Sequence, residues 1–338
     1  MQSSICVLPF HRSVGGPRSF TAALTQGLAA RGIEVHHDPE RPDTTVILVI
    51  AGTSHLDVLW RAKRRGVRII QRLDGMNWTH KKVNTGLRHY LRAEWGNWVL
   101  SVIRNHLADS LVYQSHFTQG WWQRVYGEVP AKACVIHNGV DLAFFNPLGA
   151  SNRPADRIRL QVVEGSLGGG HELGLENAVR MAQHLITTSG KRVELVVAGN
   201  VPLAARQKYD SERLDWITWA GVVDRERLPE MDRSAHFYVP CEINAACPNA
   251  LIEAMACGLP IAGYDSGAIA ELTGSEGGCI VPYGDGADQM GPADAPALAD
   301  AALKMLSEWE TYHRQARARA ERLFSVETMV EQYLEVLS

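Results

Sequence analysis

No apolar run in the chain reaches the roughly 18–20 residues that cross a bilayer, so no membrane-spanning helix is expected. The opening MQSSICVLPFHRS lacks a basic start followed by a long apolar stretch, so no signal peptide is expected either. Six cysteines are present, but none forms a CxxC pair or a zinc-ligand spacing. A disulfide scaffold and a zinc module are therefore excluded, and the cysteines read as free thiols of a cytoplasmic protein. The histidines show no HxH or HExxH spacing, so no metal site is expected. Internal repeats and low-complexity tracts are also missing, which excludes solenoids and disordered arrays.

What is present is globular. Of 338 residues, 46% are hydrophobic and 21% charged, enough for two cores rather than one. The net charge of −3 conceals a split: residues 1–150 carry 17 basic against 10 acidic side chains, residues 151–338 carry 17 against 27. The stretch 61–104 holds 11 basic and two acidic residues, interleaved with Trp60, Trp78, Trp95 and Trp98. It reads as a face for an anionic partner, either a phosphate-bearing acceptor or an anionic membrane surface touched peripherally. No nucleic-acid-binding motif accompanies the charge, so nucleic acid is not expected as a partner.

Short β-branched runs alternate with longer helical patterns, which predicts α/β architecture with parallel sheets. In the first half, strands are expected at 4–9, 45–50, 67–73, 110–113 and 133–136, with helices at 17–31, 55–65, 86–107 and 116–126. Over 86–107, Leu87, Tyr90, Leu91, Trp95, Trp98 and Val102 fall at helical spacings, and this stripe is expected to face the core. A Gly-, Pro- and Asn-rich segment after Asn138 reads as a linker, dividing the chain at 1–148 and 149–324. In the second half, strands are expected at 159–163, 194–198, 216–220, 236–239, 259–264 and 279–281. The helices there are expected at 172–188, 226–233, 249–257, 267–272, 294–308 and 310–323, with a final one over 326–337.

Two segments suggest chemistry. Gly15 and Gly16, after the first strand and before a helix, let a backbone approach a ligand closely. The sharper one is CPNALIEAMACGLP, in which Pro248 opens a helix and Gly258 closes it. The amides at such a helix start suit a diphosphate. Glu253, one turn in, offers two acceptor oxygens that match the two vicinal hydroxyls of a ribose.

The stretch PNALIEAMACGLPI resembles the signature of family-4 retaining glycosyltransferases, which have the GT-B fold. GGPRSFTAALTQGLAARGIEV, VIHNGVDLAFFNP, ELVVAGN, WAGVVDRERLPEMDRSAHFYVPC and GYDSGAIAEL resemble further segments of that family in the same order. The resemblance implies two Rossmann-like domains facing a central cleft. The acceptor-side domain would be 1–148, with a last helix, 325–338, packing back on it, and the nucleotide-sugar-binding domain 149–324. It implies transfer of a sugar from a nucleotide-sugar donor to a carbohydrate or lipid-linked acceptor, with retention and with neither metal nor cofactor. By position, Glu253 resembles the ribose-holding glutamate. Pro248, Asn249, Ala250 and Leu251 resemble the loop that contacts sugar and phosphate, and Gly15 and Gly16 the loop facing the diphosphate.

Three positions depart from the family pattern. Ala245 stands where another glutamate is usual, Asp74 where a histidine is usual, and 162–171 lacks the Arg and Lys that clamp the diphosphate. Gly165, Ser166, Gly168, Gly169 and Gly170 form a loop able to aim amides at phosphates instead. Arg72, His80, Lys81 and Lys82 offer charge from the first domain. Asp74 and Asn249 are the residues expected at the reacting sugar, although Asp74 also suits a plain turn before Gly75. A nucleotide-sugar hydrolase or epimerase, and a catalytically silent binding subunit, remain as other readings of the same pattern.

Overall fold

A computed structural model describes residues 4–9, 16–168, 172–284 and 290–338; Gly15, Gly169 and Gly170 lie outside the described residues. The chain divides into two compact units, one of residues 1–139 with 325–338 and one of 140–324.

The first unit holds strands β1 (Ser4–Leu8), β2 (Glu34–His36), β3 (Thr44–Ile50), β4 (Arg68–Leu73), β5 (Ser110–Tyr113) and β6 (Lys132–Val135). They form one parallel sheet in the order β2-β1-β3-β4-β5-β6. β3 reads TTVILVI, a near-continuous apolar run, because helices cover both faces of such a sheet. Those helices are α1 (Gly16–Ala29), α2 (Leu56–Arg64), α3 (Leu87–Val102) and α4 (His116–Tyr126). The C-terminal helix Val326–Leu337 completes one face: Met329, Val330, Tyr333 and Leu337 are buried with Phe20 and Leu24 of α1. Arg68 donates to the carbonyls of Ser338 at 2.7 Å and Val336 at 2.8 Å, meeting acceptors that a helix end leaves open.

One expectation fails here. The apolar stripe of α3 does not face the core: Leu87 is 75%, Leu91 60%, Trp95 59% and Trp98 48% exposed. The buried side of the helix is instead small and polar, with Ala93, Asn97, Val99 and Ser101. Asn97 anchors it by donating to the Asn77 carbonyl at 2.7 Å and accepting the Asn77 amide at 2.9 Å. Periodicity marks a helix face but does not say which side the protein covers.

The second unit repeats the plan. Strands β7 (Arg157–Ser166), β8 (Arg192–Asn200), β9 (Ile217–Gly221), β10 (Phe237–Tyr238), β11 (Ile261–Asp265) and β12 (Gly278–Pro282) are parallel, in the order β12-β11-β10-β7-β8-β9. Around them lie α5 (Glu172–Ser189), α6 (Leu203–Ser211), α7 (Leu228–Ser234), α8 (Asn249–Ala256), α9 (Ile269–Thr273), α10 (Ala295–Leu306) and α11 (Trp309–Leu323). Residues 140–148 group with this unit. Arg317 of α11 donates to the Phe145 carbonyl at 2.8 Å, and Arg233 of α7 to that of Asn146 at 3.1 Å. All six cysteines are free. No helix among the described residues is long and apolar enough to cross a membrane.

Candidate functional site

In open parallel sheets the working loops leave the carboxyl ends of the strands. In the second unit those ends bring together the loop after β7 and the turn after β10, which leads on to α8. Gly174 near the start of α5 is required for this closeness, because a Cβ there would lie inside the Cys241 carbonyl just past β10. A pocket of about 220 Å³ opens at this point, lined by Glu164, Ser166, Leu167, Cys241 and Glu242. Gly165 and Ser166 are exposed on its loop, and Gly168 lies against Pro202. The pocket is acidic, with Glu164 and Glu242 in its wall and no Arg or Lys among its lining residues. Glu164 accepts the Cys241 amide at 3.3 Å, while burial, and then the charge of Glu242, raise its carboxyl pKa toward the neutral form.

Pro248 adopts an extended backbone and α8 starts at Asn249 without a side-chain cap. Helix geometry leaves the first amides, among them those of Ala250 and Leu251, without carbonyl partners in the helix. The side chain of Leu251 is fully buried and holds α8 in the core. Glu253, one turn further, is 8% exposed, and its Oε1 accepts from Arg225 Nη1 at 2.8 Å. Burial raises the Glu253 carboxyl above its usual range, and the Arg225 charge and hydrogen bond pull it back. The Arg225 guanidinium also sits over the Phe145 ring, 5.0 Å from its centroid.

Below Glu253 lies Asp232 of α7, 3% exposed, accepting from Gln161 Nε2 at 2.6 Å. Burial and the nearby Glu253 push its pKa up to about 8, from an ordinary 3.8. Between these values the folded chain holds a proton that the unfolded chain has released, so stability falls as pH rises through that window. Asp232→Asn keeps an oxygen for Gln161 and removes the titration. Urea midpoints of this variant should therefore fall less from pH 5 to pH 8 than those of the wild type. Parallel curves would mean that Asp232 is ionised in the fold.

Ala245 is fully buried, and its carbonyl accepts the Ala268 amide at 2.8 Å. Gly267, at φ +65°, passes so close to the Ala245 backbone that a Cβ there would overlap it. Asn244 is held beside it, its amide donating to Ser266 Oγ at 2.9 Å.

In the first unit, Gly16 opens α1. Asp74 directly follows β4, partly buried, and its carbonyl accepts from Trp122 Nε1 at 2.8 Å. Next to β4 in the sheet, the carboxyl end of β3 leads into a pocket of about 280 Å³ lined by Gly52, Thr53, Ser54, Trp95, Val99 and Leu100. Arg72 is buried, donating to Asn138 Oδ1 at 2.7 Å and lying 3.8 Å from the Phe20 ring centroid. Both His80 and Lys81 are spent on Glu94, at 2.7 and 3.1 Å. Among the described residues no group of three or more His, Cys, Asp or Glu is placed to hold a metal ion.

The structure thus places Asn249, Ala250, Leu251 and Glu253 on α8 directly after Pro248, and Ser166 on the acidic pocket with Gly165 beside it in the loop. Sequence reasoning missed Arg225 and Asp232. Both lie in WAGVVDRERLPEMDRSAHFYVPC, yet the spacing to Glu253 along the chain gives no sign of contact.

The two parallel six-stranded sheets with their covering helices define the GT-B fold of glycosyltransferases. Residues 163–308, which contain Glu164, Arg225, Asp232 and α8, match the family Glycosyl transferases group 1. No curated protein matches the chain in sequence. Among solved structures it is similar to sucrose-phosphate synthase from Thermosynechococcus elongatus, at 20% identity and a TM-score of 0.77, covering 99% of this chain and 98% of that one. Anabaena HepE, in complex with UDP and glucose, is 14% identical with a TM-score of 0.69, covering 99% of each chain. A glycosyltransferase from Rickettsia africae is 13% identical with a TM-score of 0.67, covering 99% of this chain and 97% of that one.

Proposed function

We propose that this chain transfers a sugar from a nucleotide-sugar donor to a carbohydrate or lipid-linked acceptor, with retention of anomeric configuration and without metal or cofactor. The observation that carries the reading is Glu253, a buried carboxylate one turn behind the open amides of α8. In this reading the carboxylate takes the ribose hydroxyls. The amides of Ala250 and Leu251 meet the negative charge that develops on the departing diphosphate, so no metal is needed there. In this reading the loop with Gly165, Ser166 and Gly168 offers backbone to the diphosphate. A Glu164 held toward its neutral form repels that anion less than an ionised one would.

Asn249 stands at the first position of α8 and is assigned to the donor sugar, with Asp74 assigned to sugar hydroxyls or the acceptor. Asn249→Ala should weaken nucleotide-sugar binding by about 0.5–1.5 kcal/mol, the worth of one neutral hydrogen bond, and leave nucleoside diphosphate binding alone. Calorimetry with both ligands reads the difference; equal losses for the two would move Asn249 off the sugar.

A panel of UDP-, GDP-, ADP- and dTDP-sugars tests the whole reading, with a UDP-sugar first because HepE was solved with UDP and glucose. Turnover of one donor, with release of its nucleotide, is the expected result. A second reading, a binding subunit without activity, draws on the closed position of Ala245 and the acidic pocket wall. It predicts equal affinity for nucleoside diphosphate and nucleotide sugar, and no turnover of any donor.

A further inference from the structure

The outer face of α3 gives the strongest unassigned surface. Leu87, Leu91, Trp95 and Trp98 recur at i, i+4, i+8 and i+11, so they share one side of the helix. All four are roughly half exposed or more, and Tyr90 borders them at 41%. Trp95 and Trp98 stack on each other, ring centroids 4.8 Å apart. Single exposed apolar side chains are ordinary; a continuous stripe with two indoles marks a surface that something covers.

The charge beside the stripe says what covers it. Arg88 and Arg92 follow Leu87 and Leu91 along its edge, exposed, and make no ion pair among the described residues. Glu94, the one acid of the helix, is already held by His80 and Lys81. The result is an apolar, indole-bearing and positively charged face. A second copy packed on it about a two-fold axis would set these arginines against their own equivalents. A lipid surface of negative charge has no such conflict.

We propose that α3 docks the first unit on an anionic phospholipid bilayer. The Trp and Leu side chains enter the headgroup region, where indoles find both an apolar and a wet environment. The helix lies in the plane of the interface, and Arg88 and Arg92 face the lipid phosphates. This inference rests on exposure and charge; Trp95 also lines the pocket beyond β3, so lipid binding rather than turnover is its readout.

Co-sedimentation tests it, using vesicles of phosphatidylcholine alone and of phosphatidylcholine with phosphatidylglycerol. The full chain should pellet with the anionic vesicles, less so as salt rises, and stay in solution with the neutral ones. Trp95→Ser with Trp98→Ser, and separately Arg88→Ser with Arg92→Ser, should each lower that binding about tenfold. The arginine pair should also flatten the salt dependence. As a measurement that needs no variant, brominated lipid in the anionic vesicles should quench wild-type tryptophan emission. No pelleting, equal pelleting with both vesicles, or unchanged binding by both double variants would overturn the proposal. So would a concentration-dependent dimer that the tryptophan pair abolishes, which would assign the face to a second copy.

Discussion

Glu253→Gln should lower affinity for a nucleoside diphosphate about tenfold or more while leaving the fold intact. The substitution keeps the shape of the side chain and turns one acceptor oxygen into a donor, which a ribose with two hydroxyls to donate meets badly. Hydrogen bonds to charged groups contribute about 1.5–3 kcal/mol, and each 1.4 kcal/mol is tenfold in affinity. Arg225 loses its charged partner, but its side chain is 48% exposed, so water takes over that role. Losing a negative charge at a buried position also relieves the pressure on Asp232. Melting temperature should therefore change little while calorimetric affinity collapses. Unchanged affinity would remove Glu253 from the nucleotide site.

Gly174→Ala should have the largest effect on stability. The added methyl falls on the Cys241 carbonyl, which is backbone and has no rotamer by which to move aside. Either α5 lifts off the sheet or the turn after β10, which carries Cys241 and Glu242 of the acidic pocket, shifts. Overpacking of this kind costs about 3 kcal/mol, near the upper end of its usual range, and lowers Tm by roughly 6–12 °C in a unit of this size. Nucleotide binding should weaken in parallel, since the backbone that the methyl displaces belongs to Cys241 in the pocket wall. A variant that melts like the wild type would show that α5 can slide without penalty.

Most of the architecture was legible because apolar runs and helical spacings alternate plainly. β3 and β4 are nearly continuous buried strands, β7 is buried over its middle, and Pro248 and Gly258 bracket α8 as expected. Short and polar elements escaped: β2 has three residues, and α6, LAARQKYDS, buries only Tyr209. The face of α3 was misread for a deeper reason. A stripe of Leu and Trp has the same period whether a core or something outside the chain covers it. At the site, Glu253 could be picked out because its neighbours along the chain are apolar. Arg225 could not, since its contact with Glu253 depends on where α7 and α8 come to lie side by side. Ala245 was visible as a departure, yet only the packing of Gly267 against it reveals a closed position.

The helix Val326–Leu337 ties the completion of the first unit to a segment that follows the whole second unit along the chain. Met329, Val330, Tyr333 and Leu337 enter its core, and fully burying such side chains is worth about 1.5–3 kcal/mol each. Their sum is comparable with the whole net stability of an ordinary domain, roughly 5–15 kcal/mol. Residues 1–139 alone therefore leave one face of their core uncovered, and that unit is sealed only by a segment lying beyond the whole of residues 140–324.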